Sequence, residues 1–383
     1  MSLARARRFL IDGTMAKGGG GFTYLVNILP ELCDQSPRDQ FRLLVRSERV
    51  AESIAPRPNL SIDLLPAASW MQRMRFTYLE LPRIAKEWGT DLYFSAGESA
   101  PLRAPFPMIA SFRNPVPYAP DPSCTWKQRA RLAMLREISR LSARACDRIM
   151  FVSADSSRWI GDLLDVPAER RAVVHHGIDA SAWARPEVDA EAGHRNNNYI
   201  LSVSSVYPHK NYVRLIEAYA ALGGRHENLP DLVIIGDVQH PDYLEQMERA
   251  RTAAGDLAEQ IHILGEVPYA EIKQYYAGAD LFVFPSYLET FGHPLLEAMA
   301  SDVPTVAADI PCFREIAGDA AFYADPHKTD ALADAIESAL FSPRARRMLL
   351  KRGRECVRQF SWSASAGRLL SLFDEVLSER AAA

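Results

Sequence analysis

The sequence has few cysteines, and none is spaced for a metal site or a disulfide framework. The five stand at positions 33, 124, 146, 312 and 356, so they form no Cys-x-x-Cys pair and their number is odd. Zinc sites and stapled secreted domains need close or paired cysteines. We therefore expect all five to be buried apolar residues.

Long apolar runs are also absent. No stretch approaches the roughly 18 to 20 apolar residues that span a bilayer, and the short run 9–11 ends at Asp12, too early for a signal peptide. We therefore expect a cytoplasmic protein. The spacings typical of nucleic-acid-binding modules are missing too, which argues against a nucleic-acid partner.

The length and composition predict two globular domains. The chain has 383 residues, of which 48% are hydrophobic and 24% charged, and domains usually hold roughly 100 to 200 residues. Residues 1–180 carry 25 Lys and Arg against 19 Asp and Glu, whereas residues 181–383 carry 19 against 29. The positively charged first half leaves anionic small ligands and lipid surfaces open as partners.

Short apolar runs alternate with helix-length segments, which is typical of parallel βαβ units. The predicted strands are 9–12, 41–45, 60–65, 92–95, 108–112 and 149–153, then 199–203, 232–236, 261–265, 281–285, 304–307 and 321–324. Residues 181–198 lack apolar periodicity and are predicted to be a linker. The sequence thus predicts two doubly wound α/β domains, 1–180 and 199–357, with a ligand at the carboxyl ends of their strands.

A glycine run follows the first predicted strand and precedes a helical stretch at 22–32. Glycines let backbone N–H groups approach a ligand closely, and the start of a helix favours an anion such as phosphate. The spacing matches neither the dinucleotide fingerprint nor the P-loop, and a flexible turn without a ligand is the alternative. The run consists of Gly18, Gly19, Gly20 and Gly21.

Residues 285–300 combine two carboxylates with a predicted helix start. Pro294 suits the first turn of a helix, where its missing N–H costs nothing. Glu289 precedes this start and Glu297 lies within the first turns. Acids beside a helix start are costly when buried unless they bind hydroxyls or cations, and two solvated surface acids are the alternative. The backbone donors at the start belong to Phe291, Gly292 and His293.

Lys210 lies in the turn that follows the first strand of the second half. A lysine there can neutralise a phosphate as a point charge. By itself, an ordinary surface lysine is the alternative.

The order of these motifs resembles glycosyltransferase family 4, the group 1 glycosyltransferases. The motifs are Glu289-x7-Glu297, Pro-His-Lys-Asn at 208–211, His-Gly-Ile-Asp at 176–179, Asp-Ile-Pro at 309–311 and Glu-Ile-Ala-Gly-Asp-Ala at 315–320. The family consists of retaining nucleotide-sugar transferases with the GT-B fold. The resemblance therefore implies two Rossmann-like domains facing across a cleft, with a C-terminal helix at 361–383 packed back onto the first domain.

The resemblance also implies roles for individual residues. Lys210 would contact the diphosphate of the donor, Glu297 the ribose hydroxyls, and Glu289 the hydroxyls of the transferred sugar, together with the backbone of residues 291–293. The glycine run would close on the diphosphate and the acceptor, and residues 264–268 would lie along the edge of the nucleotide base. The other implied donor-binding residues are Ser205, Gly265 and Val267.

The sequence departs from the family pattern in two places, one in each half of the chain. Ser205 stands where the family often has an arginine, five residues before the lysine. Arg113 and Asn114 replace the His-Asp pair of the first domain, and we take both, with Glu289, as catalytic candidates. Arg113 would supply the missing positive charge at the leaving phosphate; a structural ion pair is the alternative.

The reaction implied is the transfer of a hexose from a nucleoside diphosphate sugar to a hydroxyl of a glycan or glycolipid, with retention of configuration. Cations and helix starts can stabilise the leaving diphosphate, so neither a metal nor another cofactor is expected. The form of the lysine motif resembles mannosyl and rhamnosyl transferases of surface polysaccharide assembly, which favours GDP-mannose as donor. A sugar-nucleotide epimerase and a non-catalytic sugar-nucleotide-binding module are the alternatives.

A predicted helix at 126–149 suggests the surface at which the protein reaches its acceptor. Leu135, Ile138, Ser142, Ala145 and Ile149 define one side, and basic residues the other. We predict peripheral contact between the basic side and an anionic membrane on its cytoplasmic face, with a solvated surface as the alternative. The basic residues are Arg129, Arg136, Arg140, Arg144 and Arg148.

Overall fold

The computed structural model describes residues 5–16, 18–119, 124–184 and 198–382. The chain divides into two compact units, one formed by Met1–Gly177 with Trp362–Ala383 and the other by Ile178–Ser361. Each is an α/β unit built on a parallel sheet. Most of the predicted linker, residues 185–197, lies outside the described residues.

The described part of the first unit contains a sheet of seven parallel strands in the order β3-β2-β1-β4-β5-β6-β7. Six lie where strands are predicted. The edge strand β7 is not predicted, because it is shorter than the roughly four to eight residues by which a strand is recognised in sequence. The strands are β1 (Arg8–Asp12), β2 (Gln40–Val45), β3 (Leu60–Leu64), β4 (Leu92–Ser95), β5 (Met108–Phe112), β6 (Arg148–Phe151) and β7 (Arg171–Val173).

The second unit, as far as the structure describes it, has a sheet of six parallel strands in the order β10-β9-β8-β11-β12-β13. Each strand lies within one residue of its predicted position. They are β8 (Tyr199–Val203), β9 (Asp231–Ile235), β10 (Ile261–Gly265), β11 (Leu281–Phe284), β12 (Thr305–Ala308) and β13 (Phe322–Ala324). The strand order reverses between β1 and β4 and between β8 and β11, and such reversals open a crevice at the carboxyl ends of the strands.

The helices alternate with these strands. They are α1 (Gly19–Gln35), α2 (Glu48–Ser53), α3 (Trp70–Arg75), α4 (Leu81–Trp88), α5 (Trp126–Ala145), α6 (Ala154–Leu163), α7 (Ala180–Trp183), α8 (Tyr212–Gly223), α9 (Pro241–Ala253), α10 (Tyr269–Gly278), α11 (His293–Ala300), α12 (Pro311–Ala317), α13 (Thr329–Phe341), α14 (Pro343–Val357) and α15 (Trp362–Ala382). None of the helices in the described part of the chain is long and apolar enough to cross a membrane.

Two helix boundaries differ from the prediction. Helix α1 begins at Gly19 rather than at residue 22, with Gly18 in extended conformation as its N-cap. Helix α5 ends at Ala145, so the predicted helix 126–149 is too long. The chain turns there because the Asp147 carboxylate accepts from the backbone N–H of Met108 at 2.8 Å, which directs the chain into β6 beside β5.

The final helix, α15, packs in the same apolar core as α1 and β1. The ring of Phe373 on α15 lies 5.0 Å from that of Phe9. Helices α4, α5 and α6 contribute to the core on the other face of the first sheet. The second unit has its own core, to which α8 and α13 contribute. Four cysteines are buried as expected; Cys124, at the start of α5, is partly exposed instead.

Candidate functional site

Lys210 and Glu289 come from two loops that the strand order of the second sheet brings together. Lys210 closes a 3-10 turn, Pro208–Lys210, after β8, and Glu289 follows β11. The Lys210 ammonium donates to Glu289 Oε1 at 2.5 Å, and each side chain is only 12% exposed. The predicted phosphate-binding and sugar-binding residues therefore form a largely buried ion pair at the strand reversal.

Hydrogen bonds to the loop after β11 fix the turn that carries Lys210. The carbonyl of His209 accepts from Ser286 Oγ at 3.1 Å, and the side chain of Asn211 donates to the carbonyl of Pro285 at 3.2 Å. Asn211 has a φ of 63°, a left-handed conformation in which asparagine is several-fold enriched. These hydrogen bonds connect the backbone on either side of Lys210 to the loop after β11.

Helix α11 begins soon after Glu289 in sequence, and Pro294 occupies its first turn as predicted. Gly292 precedes the helix with a φ of 100°, and a Cβ there would lie 2.8 Å from a ring carbon of Phe313. Both the conformation and the close approach require glycine. Phe291 is buried, and His293 is the first helical residue. The helix start therefore concentrates backbone N–H groups at the end of β11.

Glu297 is buried within α11 and contacts α10. Its Oε2 accepts from the hydroxyl of Tyr276 at 3.1 Å. Burial raises the pKa of Glu297 to about 7, and the Tyr276 hydrogen bond and the charge of Lys273 oppose that rise only in part. Glu289 and Glu297 thus have different partners, an ammonium in one case and a phenol in the other. Sequence reasoning did not identify Tyr276 as the partner of Glu297.

The remaining predicted donor-binding residues lie at the ends of β8 and β10, which flank β9 in the second sheet. Ser205 follows β8 and is half-buried, as is Val267 after β10. Gly265 ends β10 with a φ of 72°, and its carbonyl accepts from the N–H of Gly236 at 2.9 Å. A Cβ at Gly236 would lie 1.8 Å from the carbonyl oxygen of Ser204. Gly236 therefore lets the chain after β8 approach β9, a role that a glycine ending a buried strand could have signalled.

In the first unit, the glycine run forms the first turn of α1 and its cap, rather than a separate loop before the helix. Gly19 has a φ of 55°, so this position favours glycine. A Cβ added at Gly18, Gly19 or Gly20 would meet no heavy atom within 4 Å. Packing therefore does not explain these three glycines, whereas a Cβ added at Gly21 would lie 3.4 Å from that of Ala16.

Arg113 follows β5, and its guanidinium donates to the carbonyl of Ala96 and lies 4.4 Å from the ring centroid of Tyr24. Burial lowers the pKa of Arg113, while the negative charge of Glu98 acts in the opposite direction. Glu98 Oε1 accepts from the backbone N–H groups of Arg113 at 3.1 Å and Asn114 at 2.9 Å. Sequence reasoning missed Tyr24 and Glu98, because neither belongs to a recognisable motif.

The arginines predicted as one stripe do not form one exposed face. Arg148 belongs to β6 and pairs with Glu379. Arg140 pairs with Glu137 and donates to the carbonyl of Leu163 at 2.9 Å. Because its side chain reaches across to α6, Arg140 is largely buried.

Arg136 is half-buried, and only Arg129 and Arg144 of the predicted stripe are exposed. The exposed side of α5 combines basic and apolar residues instead. The basic and apolar residues exposed there are Trp126, Lys127, Arg131, Met134, Leu141 and Arg144, with the acidic Glu137 exposed among them.

No group of three or more His, Cys, Asp or Glu residues that could hold a metal ion occurs among the residues described.

Two doubly wound parallel-sheet units, with a lysine, two glutamates and a helix start at the carboxyl edge of the second sheet, define the class of two-domain glycosyltransferases. The family model "Glycosyltransferase Family 4" matches residues 18–182, and the model "Glycosyl transferases group 1" matches residues 185–356. The chain belongs to glycosyltransferase family 4, group 1, as its motifs predict.

Among curated relatives, the chain is 34% identical over 165 residues to O-antigen chain mannosyltransferase B of Escherichia coli, which covers 43% of this chain and 42% of that protein. It is 28% identical over 203 residues to O-antigen chain mannosyltransferase RfbU of Salmonella typhimurium, covering 53% and 54%. The chain thus spans about half the length of these curated relatives.

Solved structures share the fold over nearly the whole chain. HepE of Anabaena in complex with UDP-glucose superposes with a TM-score of 0.75 at 18% identity, covering 97% of this chain and 99% of that one. A glycosyltransferase of Rickettsia africae superposes with a TM-score of 0.72 at 15% identity, covering 97% and 99%. At such identities the likeness shows the fold alone, and it confirms the predicted GT-B fold.

Proposed function

We propose that the protein transfers a hexose from a nucleoside diphosphate sugar to a hydroxyl of a glycan or glycolipid acceptor, with retention of anomeric configuration. The observation that carries the proposal is the Lys210–Glu289 pair at the strand reversal of the second sheet. Separating a largely buried ion pair is costly unless each charge finds a new partner. A donor offers such partners, since its diphosphate can accept from Lys210 and its sugar hydroxyls can donate to Glu289.

In the proposed reaction, the main role of the protein is to stabilise the negative charge that develops on the leaving diphosphate. A diphosphate leaves readily once preorganised donors meet its developing negative charge. Lys210 and the N–H groups at the start of α11 would do this, with Arg113 and its neighbour Asn114 as further candidates. The motifs contain no evident covalent nucleophile, so we propose front-face attack with the leaving phosphate as base.

We propose GDP-mannose as donor and an acceptor of surface polysaccharide assembly. Support comes from the names of the two O-antigen relatives and from the lysine motif with Ser205 in place of an arginine. Thermal-shift measurements with GDP, UDP, ADP and dTDP test the base, because a ligand at about 100 times its Kd stabilises by about 2.7 kcal/mol. GDP should give the largest shift; a larger shift with another nucleotide would contradict this donor.

Nucleotide binding should depend on pH through Glu297. With its pKa raised to about 7, Glu297 is mostly protonated at pH 6 in the free protein. Ribose hydroxyls donate best to the ionised carboxylate, so binding should release a proton and strengthen as pH rises. With full coupling, the affinity for GDP gains about tenfold between pH 6 and pH 8. Calorimetric titration measures it.

Glu297→Gln is the control for that measurement, because the nucleotide phosphates also titrate near pH 6. The amide variant should show only the pH dependence of the nucleotide. Parallel pH profiles for both proteins would rule out ribose binding by an ionised Glu297.

Addition of EDTA should leave turnover nearly unchanged, because the proposed cations at the diphosphate are side chains and helix donors. The measurement is the rate of nucleoside diphosphate release with and without chelator. Loss of turnover that Mg²⁺ or Mn²⁺ restores specifically would show that the reaction needs a metal.

An assay without acceptor separates the proposal from an epimerase. A transferase needs the acceptor hydroxyl, so GDP-mannose incubated alone should remain the same sugar nucleotide apart from slow hydrolysis. Conversion into an isomeric sugar nucleotide would identify an epimerase instead.

We further propose that the exposed side of α5 contacts an anionic membrane and so meets a lipid-linked acceptor. Trp126 is 74% exposed, and an exposed tryptophan flanked by basic residues suits the lipid–water interface. Liposome sedimentation tests this proposal: the protein should pellet with anionic but not neutral vesicles. Lys127→Glu with Arg131→Glu and Arg144→Glu should abolish pelleting.

The matched control changes three exposed basic residues on α14, Arg344, Arg347 and Lys351, to Glu. This variant has the same net charge as the α5 variant. Equal loss of pelleting in both would assign the effect to overall charge rather than to α5.

A further inference from the structure

Tyr24 lies completely buried in the first unit, on α1 one helical turn after Gly20. Its ring packs against His176 at 5.0 Å and against Trp362 at 6.0 Å between centroids. Its hydroxyl has no hydrogen-bond partner among the residues described. The contacts of Tyr24 described here are therefore made by its ring and not by its hydroxyl.

The face of that ring supports the Arg113 guanidinium, 4.4 Å from the centroid. A guanidinium over an aromatic face is attracted by the ring quadrupole, more strongly where water is excluded. The guanidinium also donates to the Ala96 carbonyl. Both contacts fix the position of the guanidinium.

Glu98 fixes the backbone of the same turn. One carboxylate oxygen, Oε1, accepts from two consecutive N–H groups, those of Arg113 and Asn114. Hydrogen bonds from backbone N–H groups to a carboxylate are charge-assisted and strong. Glu98 is half-buried in the loop after β4, so the turn after β5 is tied to the neighbouring strand.

These contacts meet at the strand reversal of the first sheet. The start of α1 follows β1, Ala96 and Glu98 follow β4, and Arg113 follows β5, and these three strands are adjacent at one edge. This edge is where doubly wound sheets bind ligands. A guanidinium fixed in position at this edge is placed to receive an anion.

We propose that Tyr24 and Glu98 are positioning residues for Arg113: the Tyr24 ring sets the guanidinium, and Glu98 sets the backbone that carries it. The inference rests on the proposed function, in which Arg113 meets the leaving phosphate. The group that Arg113 receives is then the diphosphate as its negative charge develops. Misplacing the guanidinium should therefore slow turnover more than it weakens donor binding.

The first test compares Tyr24→Phe with Tyr24→Leu, using donor turnover and thermal unfolding. Tyr24→Phe keeps the ring and should retain wild-type kcat. Tyr24→Leu should lower kcat by roughly 10- to 100-fold with little change in the donor KM, since small misplacements have effects of this size. Wild-type kcat in a folded Tyr24→Leu protein would overturn the role of the ring.

The second test uses chemical rescue. Arg113→Ala removes the guanidinium and leaves its place between the Tyr24 ring and the Ala96 carbonyl. Millimolar guanidinium chloride should restore part of the lost turnover in this variant. The double variant Arg113→Ala with Tyr24→Leu should respond to guanidinium far less, and equal rescue in both proteins would contradict the proposal.

A third test uses Glu98 and does not depend on the buried tyrosine. Glu98→Gln keeps an acceptor oxygen for both N–H groups and should retain most turnover, whereas Glu98→Ala should lower kcat. Equal kcat in the two variants overturns the positioning role of Glu98. Failure of the proposed function would look different, because wild-type protein would then consume no donor at all.

Discussion

Replacement of Lys210 with methionine should weaken binding of the nucleoside diphosphate by roughly 10- to 100-fold. A charge-assisted hydrogen bond contributes on the order of 1.5 to 3 kcal/mol, and methionine keeps the length of the side chain while removing the charge. The effect should be larger on turnover, because the negative charge of the diphosphate grows as it leaves. Calorimetry with GDP and rates of GDP release measure the two effects.

The Lys210 experiment has a matched control and a separate measurement of stability. Lys351 is exposed on α14, so Lys351→Met should leave both the affinity for GDP and the rate of GDP release unchanged. Lys210→Met also leaves Glu289 without its ammonium partner, and thermal unfolding of the variant reports that cost separately. If GDP bound to Lys210→Met as tightly as to the wild-type protein, Lys210 would not be a phosphate ligand.

Glu289→Gln should lower kcat by about 100-fold, the second largest effect that we expect. The transition state of glycosyl transfer resembles an oxocarbenium ion, and a preorganised carboxylate near the sugar stabilises that positive charge. Glutamine preserves the shape and the acceptor oxygen but removes the charge. Initial rates with saturating donor measure the loss.

The same variant should bind GDP at least as well as the wild-type protein. In the free protein the Lys210 ammonium is engaged by Glu289 Oε1, and the amide releases it for the diphosphate. Glu355→Gln on the exposed side of α14 is the control for the loss of one negative charge. Turnover of Glu289→Gln at the wild-type rate would show that this carboxylate does not act on the sugar.

The sequence was sufficient to predict the fold because alternating apolar runs mark parallel strands directly. Among the strands that the structure describes, the one it missed is β7, which is only three residues long. The end of α5 was also missed, since the spacing of its arginines continues through Cys146 into β6 and hides the boundary. Periodicity identifies a face but does not mark where a helix ends.

Candidate site residues could be proposed from the sequence where a motif lies at a strand end, as with Lys210 and Glu289. Their pairing could not be, because it depends on β8 and β11 being neighbours, a long-range feature of the sheet order. The same limit applies to Tyr276 on Glu297 and to Tyr24 beneath Arg113. Such partners come from other helices and leave no spacing signal in the sequence.

The most direct test of the central claim is the anomeric configuration of the product, read by NMR after incubation of GDP-mannose with a lipid-linked or glycan acceptor. The account predicts a new mannosyl linkage with the α configuration of the donor and release of GDP. A β-linked product, or consumption of the donor without a glycosylated acceptor, would contradict it.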